Sequence, residues 1–248
     1  MFATAIQHYL QQHSYTRIDL RAVLFDMDGV LFDSMKNHAH CWQETMTHYG
    51  LHITAEEVYQ NEGRTGKSTI NAISLRERGY EVSDETAKEI YAYKSALFNE
   101  CPEPAPMTGA LSLLRQIVAA DITPLVVTGS GQTSLLQRLD SAFPQIFNPK
   151  QMVTAHDVRY GKPHPEPYLM GLQKAAQPAL SPYQAIVVEN APLGIRSAVA
   201  AGIFTIAVNT GPLPDHILTE AGAHLLFPSI QALSDAWGAL LNAFRTTF

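Results

Sequence analysis

An α/β fold, with a Rossmann-like parallel sheet interrupted by an all-helical insert, follows from three observations. From residue 22 onward, short β-rich runs alternate with helical patterns, and alternation of that kind predicts a parallel sheet with helices on both faces. Runs such as LVV and IVV are apolar at consecutive positions, as strands buried on both sides must be. Between about residues 35 and 103 there is no strand pattern, only helical stretches.

Taken in order, residues 1–21 form an extension that is weakly helical. The expected strands are AVLFD (22–26), TPLVVT (123–128), MVTA (152–155), AIVVE (185–189), FTIAVN (204–209) and HLLF (224–227). The insert carries helices over 35–49, 55–61, 67–78 and 84–99. Gly50 and Gly79 stop the first and third, and Ser83 with Asp84 and Glu85 opens the fourth as the helix dipole favours. The proline-rich CPEPAPMTG (101–109) reads as a stiff return linker. The division is therefore a core of 22–34 and 104–248 and a helical unit of 35–103.

The bulk properties exclude several classes. With 248 residues, 46% of them hydrophobic, the chain can bury a full core. A formal charge of -6 offers no basic field for nucleic acid or an anionic membrane. The stretch AIVVENAPLGIRSAVAAGIFTIAV is broken by Glu189, Pro192 and Arg196, so it is not one membrane span. Cys41 and Cys101 have no metal-finger spacing, and MFATAIQHYLQQHSYTR lacks a signal-peptide pattern, so a soluble cytoplasmic protein is expected. Its oligomeric state is unreadable, and a monomer is compatible with the sequence.

One stretch imitates a nucleotide site. NEGRTGKST (61–69) ends like a phosphate loop, but Asn61 stands where the leading glycine is needed. The segment before it opens with a capping box, Thr54 and Glu57, which announces a helix and not the required strand. Another role must account for the loop.

Ligands of parallel α/β sheets sit beyond the carboxyl ends of the strands. There the chain offers Asp26 and Asp28 in FDMDGV, Thr128, Gly129 and Ser130 in VVTGS, Lys162 in YGKPHPEP, and Glu189 and Asn190 in VVEN. This ordered set resembles the haloacid dehalogenase superfamily from residue 22 onward, and the helical insert resembles the cap of that superfamily. The resemblance implies phosphoryl transfer. Asp26 would be the nucleophile forming an aspartyl-phosphate, and Asp28 the general acid and base. Thr128 would hydrogen-bond the phosphoryl group, and Lys162 would neutralise it and orient Asp26.

Clustered carboxylates and a phosphate need a cation, because two like charges about 4 Å apart repel by roughly 4 kcal/mol at an effective dielectric near 20. Mg²⁺ suits such oxygen ligands. The implied ligands are the Asp26 side chain, the Asp28 carbonyl and Asn190, with Glu189 as ligand or supporting partner. Asn190 departs from the common aspartate, which removes one negative charge.

The cap loop EGRTG and the core VENAPLG also look like the haloacid dehalogenase-type inorganic pyrophosphatases, close cousins of the β-phosphoglucomutases. Where the mutase loop carries a lysine, this chain has Glu62. Glu62 is expected to reach the Mg²⁺ and restore the charge lost at Asn190, leaving room for a small phosphorylated substrate such as pyrophosphate. Arg64 and Lys67 would bind its distal phosphate, with Tyr91, Lys94 and His38 lining the roof and hinge. A β-phosphoglucomutase is the alternative, with which His38 and Lys94 are compatible, followed by a small sugar-phosphate phosphatase. A dehalogenase has no need of Asp28, and an idle phosphate-binding scaffold would not need Asp26.

Overall fold

The computed structural model describes residues 2–131 and 133–248. In chain order it contains α1 (Phe2–His13), β1 (Ala22–Phe25), α2 (Met35–His48), α3 (Ala55–Gln60), α4 (Gly66–Arg78) and α5 (Asp84–Glu100). There follow α6 (Ala110–Ala119), β2 (Thr123–Val126), α7 (Thr133–Ala142), α8 (Glu166–Ala175), β3 (Ala185–Glu189) and α9 (Pro192–Ala200). The chain closes with β4 (Phe204–Val208), α10 (Asp215–Glu220), β5 (Leu225–Phe227) and α11 (Ile230–Thr246).

All five strands are parallel, in the order β2-β1-β3-β4-β5. Successive side chains of a strand face opposite ways. Val23 and Phe25 accordingly join the layer built with Leu113 of α6, Leu233 of α11 and Tyr9 of α1. Ala22 and Leu24 join Tyr168 and Leu172 of α8 and Ala198 of α9 on the other face. The register pairs Phe25 with Val126 on one side and Val188 on the other, so Asp26, Val127 and Glu189 emerge side by side at the strand tips.

MVTA does not become a strand. Val153 makes a single bridge to Val127, and Thr154 then turns the chain by taking its partners from Asp157, through its N–H at 2.8 Å and its hydroxyl at 2.9 Å. The ladder ends because the local side chain competes for the backbone donor.

Helices α2 to α5 enclose their own apolar cluster, with Met46, Ile70 and Ile90 at its centre. The capping box at Thr54 is formed in both directions, which confirms that the segment before the imitation phosphate loop is helical. The two strands of chain joining this unit to the sheet pair with each other: Asp33 donates its N–H to the Ala105 carbonyl at 2.9 Å, and Met107 to that of Leu31 at 2.8 Å. Among the described residues no helix is long and apolar enough to cross a membrane.

The extension is more than weakly helical. Three turns of α1 pack on the sheet side of α11 through Ile6, Tyr9 and Leu10, all buried. Tyr9 lies edge-on to Phe204 at 5.3 Å between ring centres and gives its hydroxyl proton to the Gly202 carbonyl at 2.9 Å. Replacing a buried aromatic by alanine costs about 3–5 kcal/mol, whereas losing one buried hydrogen bond costs about 1 kcal/mol. Tyr9→Ala is expected to lower the urea midpoint severely and Tyr9→Phe only slightly, followed by fluorescence of the buried Trp237.

Candidate active site

Lys162 organises the strand tips. Its ammonium donates to Asp26 Oδ1 at 2.5 Å, to Glu189 Oε1 at 2.6 Å and to the Val127 carbonyl at 3.1 Å, so all three of its hydrogens are used. Burial alone would lower this ammonium's pKa, but Asp26 and Glu189 outweigh it and hold Lys162 charged.

Glu189 is saturated by its neighbours. Oε1 accepts from Lys162 and from the Tyr168 hydroxyl at 2.6 Å. Oε2 accepts the N–H groups of Asn190 at 3.0 Å and Ala191 at 3.3 Å, at the start of α9. Four acceptor sites meet four donors, which leaves no lone pair for a metal. In this arrangement Glu189 supports Lys162 and the entry to α9, the second of the two roles foreseen for it. A Cβ at Gly194 would lie 1.8 Å from Oε1, so this first turn of α9 can approach the carboxylate only as glycine.

Two buried oxygens at the strand tips have no hydrogen-bond partner among the described residues, Asp26 Oδ2 and Asn190 Oδ1. A hard cation fits that pair, with the Asp28 carbonyl as the main-chain member. Among the described residues no three acidic, histidine or cysteine side chains converge on one point, so the amide and a carbonyl are needed to complete such a set. Burial pushes Asp26 up to about 8, with Glu189 and Asp28 adding to it against the pull of Lys162. One ammonium does not balance the surrounding carboxylates, and a divalent cation would.

Asp28 has a different environment. Its Oδ1 accepts from the Ser34 hydroxyl at 2.6 Å and contacts His38 Nε2 at 3.1 Å. Lys94 Nζ lies 2.8 Å from His38 Nδ1. An ammonium can only donate, so Nδ1 accepts and Nε2 carries the proton given to Asp28. Burial raises the Asp28 carboxyl, but His38, Ser34 and Lys94 together bring it below its ordinary value. Burial and the facing Lys94 lower the pKa of His38, and burial lowers Lys94 to about 8.

The cap is closed on the core. A Cβ at Gly129 would stand 2.4 Å from the Gly63 carbonyl oxygen, so the loop of residues 61–66 rests directly on the loop after β2. Tyr91 on α5 hydrogen-bonds with the Gly131 main chain and with Ser130, tying cap to core a second time. Beneath lies a cavity of about 40 Å³, bordered by Asp28, His38, Glu62, Arg64, Lys94 and Gly129. At roughly 10–15 Å³ per water position, it holds a few waters or one phosphoryl group. Glu62 reaches into this space: burial and the nearby Asp28 and Asp26 carboxylates raise its pKa well above the ordinary value.

Most of the residues foreseen from the sequence meet here. Thr128 is buried at the end of β2 and accepts the Ser130 N–H at 3.0 Å, leaving its hydroxyl proton to be donated. Arg64 donates to Asn61 at 2.9 Å and to Ser68 at 3.2 Å, both neutral groups. Lys67 is a correction. It is the second residue of α4, exposed, and pairs with Asp84 at 2.6 Å, beside an outer groove and away from the cavity. Two residues were overlooked. Ser34 occupies a helix-cap position yet sends its hydroxyl to Asp28, and the only available signal was a serine ahead of a helix. Tyr168 gave no signal, since its role depends on α8 packing against β1 and β2 of the sheet.

Sequence and structure comparisons agree with this geometry. Residues 23–208 match the family described as haloacid dehalogenase-like hydrolase. Hexitol phosphatase A of Escherichia coli (strain K12) is 33% identical over 76% of this chain and 83% of its own. Validoxylamine A 7'-phosphate phosphatase of Streptomyces hygroscopicus subsp. limoneus is 31% identical over 77% of this chain and 86% of its own. A solved structure described as "Putative beta-phosphoglucomutase from Bacteroides vulgatus" is 53% identical, with a TM-score of 0.95 over 99% of this chain and 98% of that one.

Tyr168→Phe removes one donor to Glu189 and loosens Lys162. Hydrolysis of p-nitrophenyl phosphate by this variant is expected to fall about tenfold in kcat, which corresponds to about 1.4 kcal/mol, with only a small drop in thermal midpoint.

Proposed function

Because the chain belongs to the haloacid dehalogenase-like hydrolase family, we propose that it is a phosphatase which removes the phosphoryl group of a small phosphorylated carbohydrate or polyol through an aspartyl-phosphate. The observation that carries this reading is the contrast between two acids two residues apart. Asp26 is aligned by Lys162 with one free oxygen, and Asp28 is held by Ser34 and His38 at the cavity wall.

Asp26 attacks phosphorus in line, forming an Oδ–P bond as the bond to the leaving oxygen breaks. Asp28, protonated once the substrate is bound, delivers that proton to the leaving oxygen and then takes one from the water that splits the acyl phosphate. The Thr128 hydroxyl and the Gly129 main chain would donate to the phosphoryl oxygens, and Lys162 would balance their charge. Asp26, the Asp28 carbonyl and Asn190 would hold Mg²⁺, with Glu62 above them, and the ion would neutralise charge on the transferring group. His38 and Lys94 fix the orientation of Asp28.

The relatives bear on the leaving group. Their names speak of sugar-like and polyol phosphates, which favours a sugar-phosphate phosphatase, or a phosphoglucomutase, over the pyrophosphatase expected from EGRTG and VENAPLG. One feature of the site favours pyrophosphate as a second reading. The cavity under the lowered cap, about 40 Å³, suits a compact anion better than a hexose phosphate, and Glu62 beside it repels an anion unless a cation intervenes. A magnesium complex of pyrophosphate satisfies both conditions.

The test is phosphate release with Mg²⁺ from hexitol, glycerol and hexose phosphates and from pyrophosphate, together with conversion of β-glucose 1-phosphate to glucose 6-phosphate, using Asp26→Asn as the blank. Preference for a phosphorylated polyol or sugar is the expected result, and isomerisation without net release would replace hydrolysis by mutase chemistry. Glu62→Gln separates the readings further. With a sugar phosphate as substrate it leaves kcat/KM within about threefold, and with pyrophosphate it lowers kcat/KM at least about tenfold.

A further inference from the structure

The chain has two cysteines, 60 residues apart, and the fold brings them together. Cys41 is buried on α2, and Cys101 is half-buried at the end of α5 where the return linker begins. Their sulfurs are 3.5 Å apart and both are free thiols. Nothing in the proposed phosphoryl chemistry uses them. Between these two anchors lies nearly the whole cap, and beside them Asn37 of α2 donates to the Pro102 carbonyl at 2.8 Å, so they stand at the cap's root.

We infer that Cys41 and Cys101 form a reversible oxidation site, in which a low-molecular-weight disulfide converts the two thiols to one intramolecular disulfide across the root of the cap. The half-buried Cys101 meets the oxidant first. Its thiolate attacks one sulfur of the oxidant, forming a mixed disulfide and expelling one small thiolate. Cys41 then gives up its proton to that thiolate and attacks the Cys101 sulfur, expelling the second small thiol. Two protein thiols are oxidised and one disulfide is reduced to two thiols. Burial and the adjacent Cys101 raise Cys41 to about 12, which makes it a poor first nucleophile and suits it to the second, intramolecular step.

The geometry also sets the consequence. Both cysteines move with the cap, so the bond ties α2 to the end of α5 without crossing to the sheet. It closes a loop of 60 residues, which restricts the unfolded chain strongly. The bond forms next to the contact of Lys94 with His38 and fixes the spacing of the helices that carry them.

Oxidised glutathione added to the full chain tests this. Mass spectrometry is expected to find the mass of two hydrogens lost and no glutathione retained. A non-reducing digest should link the peptide of Cys41 to that of Cys101, and dithiothreitol should reverse both changes. The thermal midpoint should rise by at least ~5 °C on oxidation. Cys41→Ser, a near-isosteric change, should stop at a stable glutathione adduct on Cys101. Retention of glutathione by the unaltered chain, covalent dimers, or thiols that remain unchanged would each overturn the assignment. None of these readouts depends on phosphatase activity.

Discussion

The contact of one ammonium with three oxygens is the constraint on which the rest of the molecule depends. Lys162 comes from a loop, Asp26 from the end of β1, Glu189 from the end of β3 and the Val127 carbonyl from the end of β2. Three adjacent strands therefore terminate at the same depth around one buried cation. An isolated ammonium would lose far too much hydration to be placed there, and isolated carboxylates likewise, so each makes the burial of the others tolerable. The parallel register is what delivers them side by side, and apolar packing on both faces of the sheet keeps that register in place.

Around this centre the two acids, Asp26 and Asp28, are differentiated by what neighbours them. Asp26 shares its lysine with Glu189 and keeps one oxygen unpartnered, whereas Asp28 receives donors from Ser34 and from His38 of the cap. The insert thus does more than cover the site. Through His38 and Lys94 it helps lower the pKa of Asp28, and through Glu62 it adds a further acid above the cavity. Cap and core chemistry are coupled by side chains that belong to the cap.

The sheet, the helical insert and the strand-tip residues were legible because each leaves a local mark: consecutive apolar positions, caps at Thr54 and Ser83, and acids next to sharp turns. Lys67 misled because it is one residue from a glycine-rich loop, while the helix that begins at Gly66 turns its side chain outward to Asp84. Helical phase, invisible in a nine-residue motif, decided the matter. MVTA was misread because its apolar residues pack as a strand would, but Thr154 and Asp157 end the ladder after one bridge. Tyr168 and the pairing of Cys41 with Cys101 come from long-range packing and have no signature in sequence spacing.

The two linkers of the cap hydrogen-bond to each other, Asp33 with Ala105 and Leu31 with Met107. Joined in this way, they remove the independent torsions that two separate tethers would have, and the cap is left with close to a single rotational coordinate. A cap tethered in this way is held with Gly63 on Gly129 and Glu62 beside the strand-tip acids. The assembled site thereby depends on a few main-chain bonds in the linkers next to Ser34.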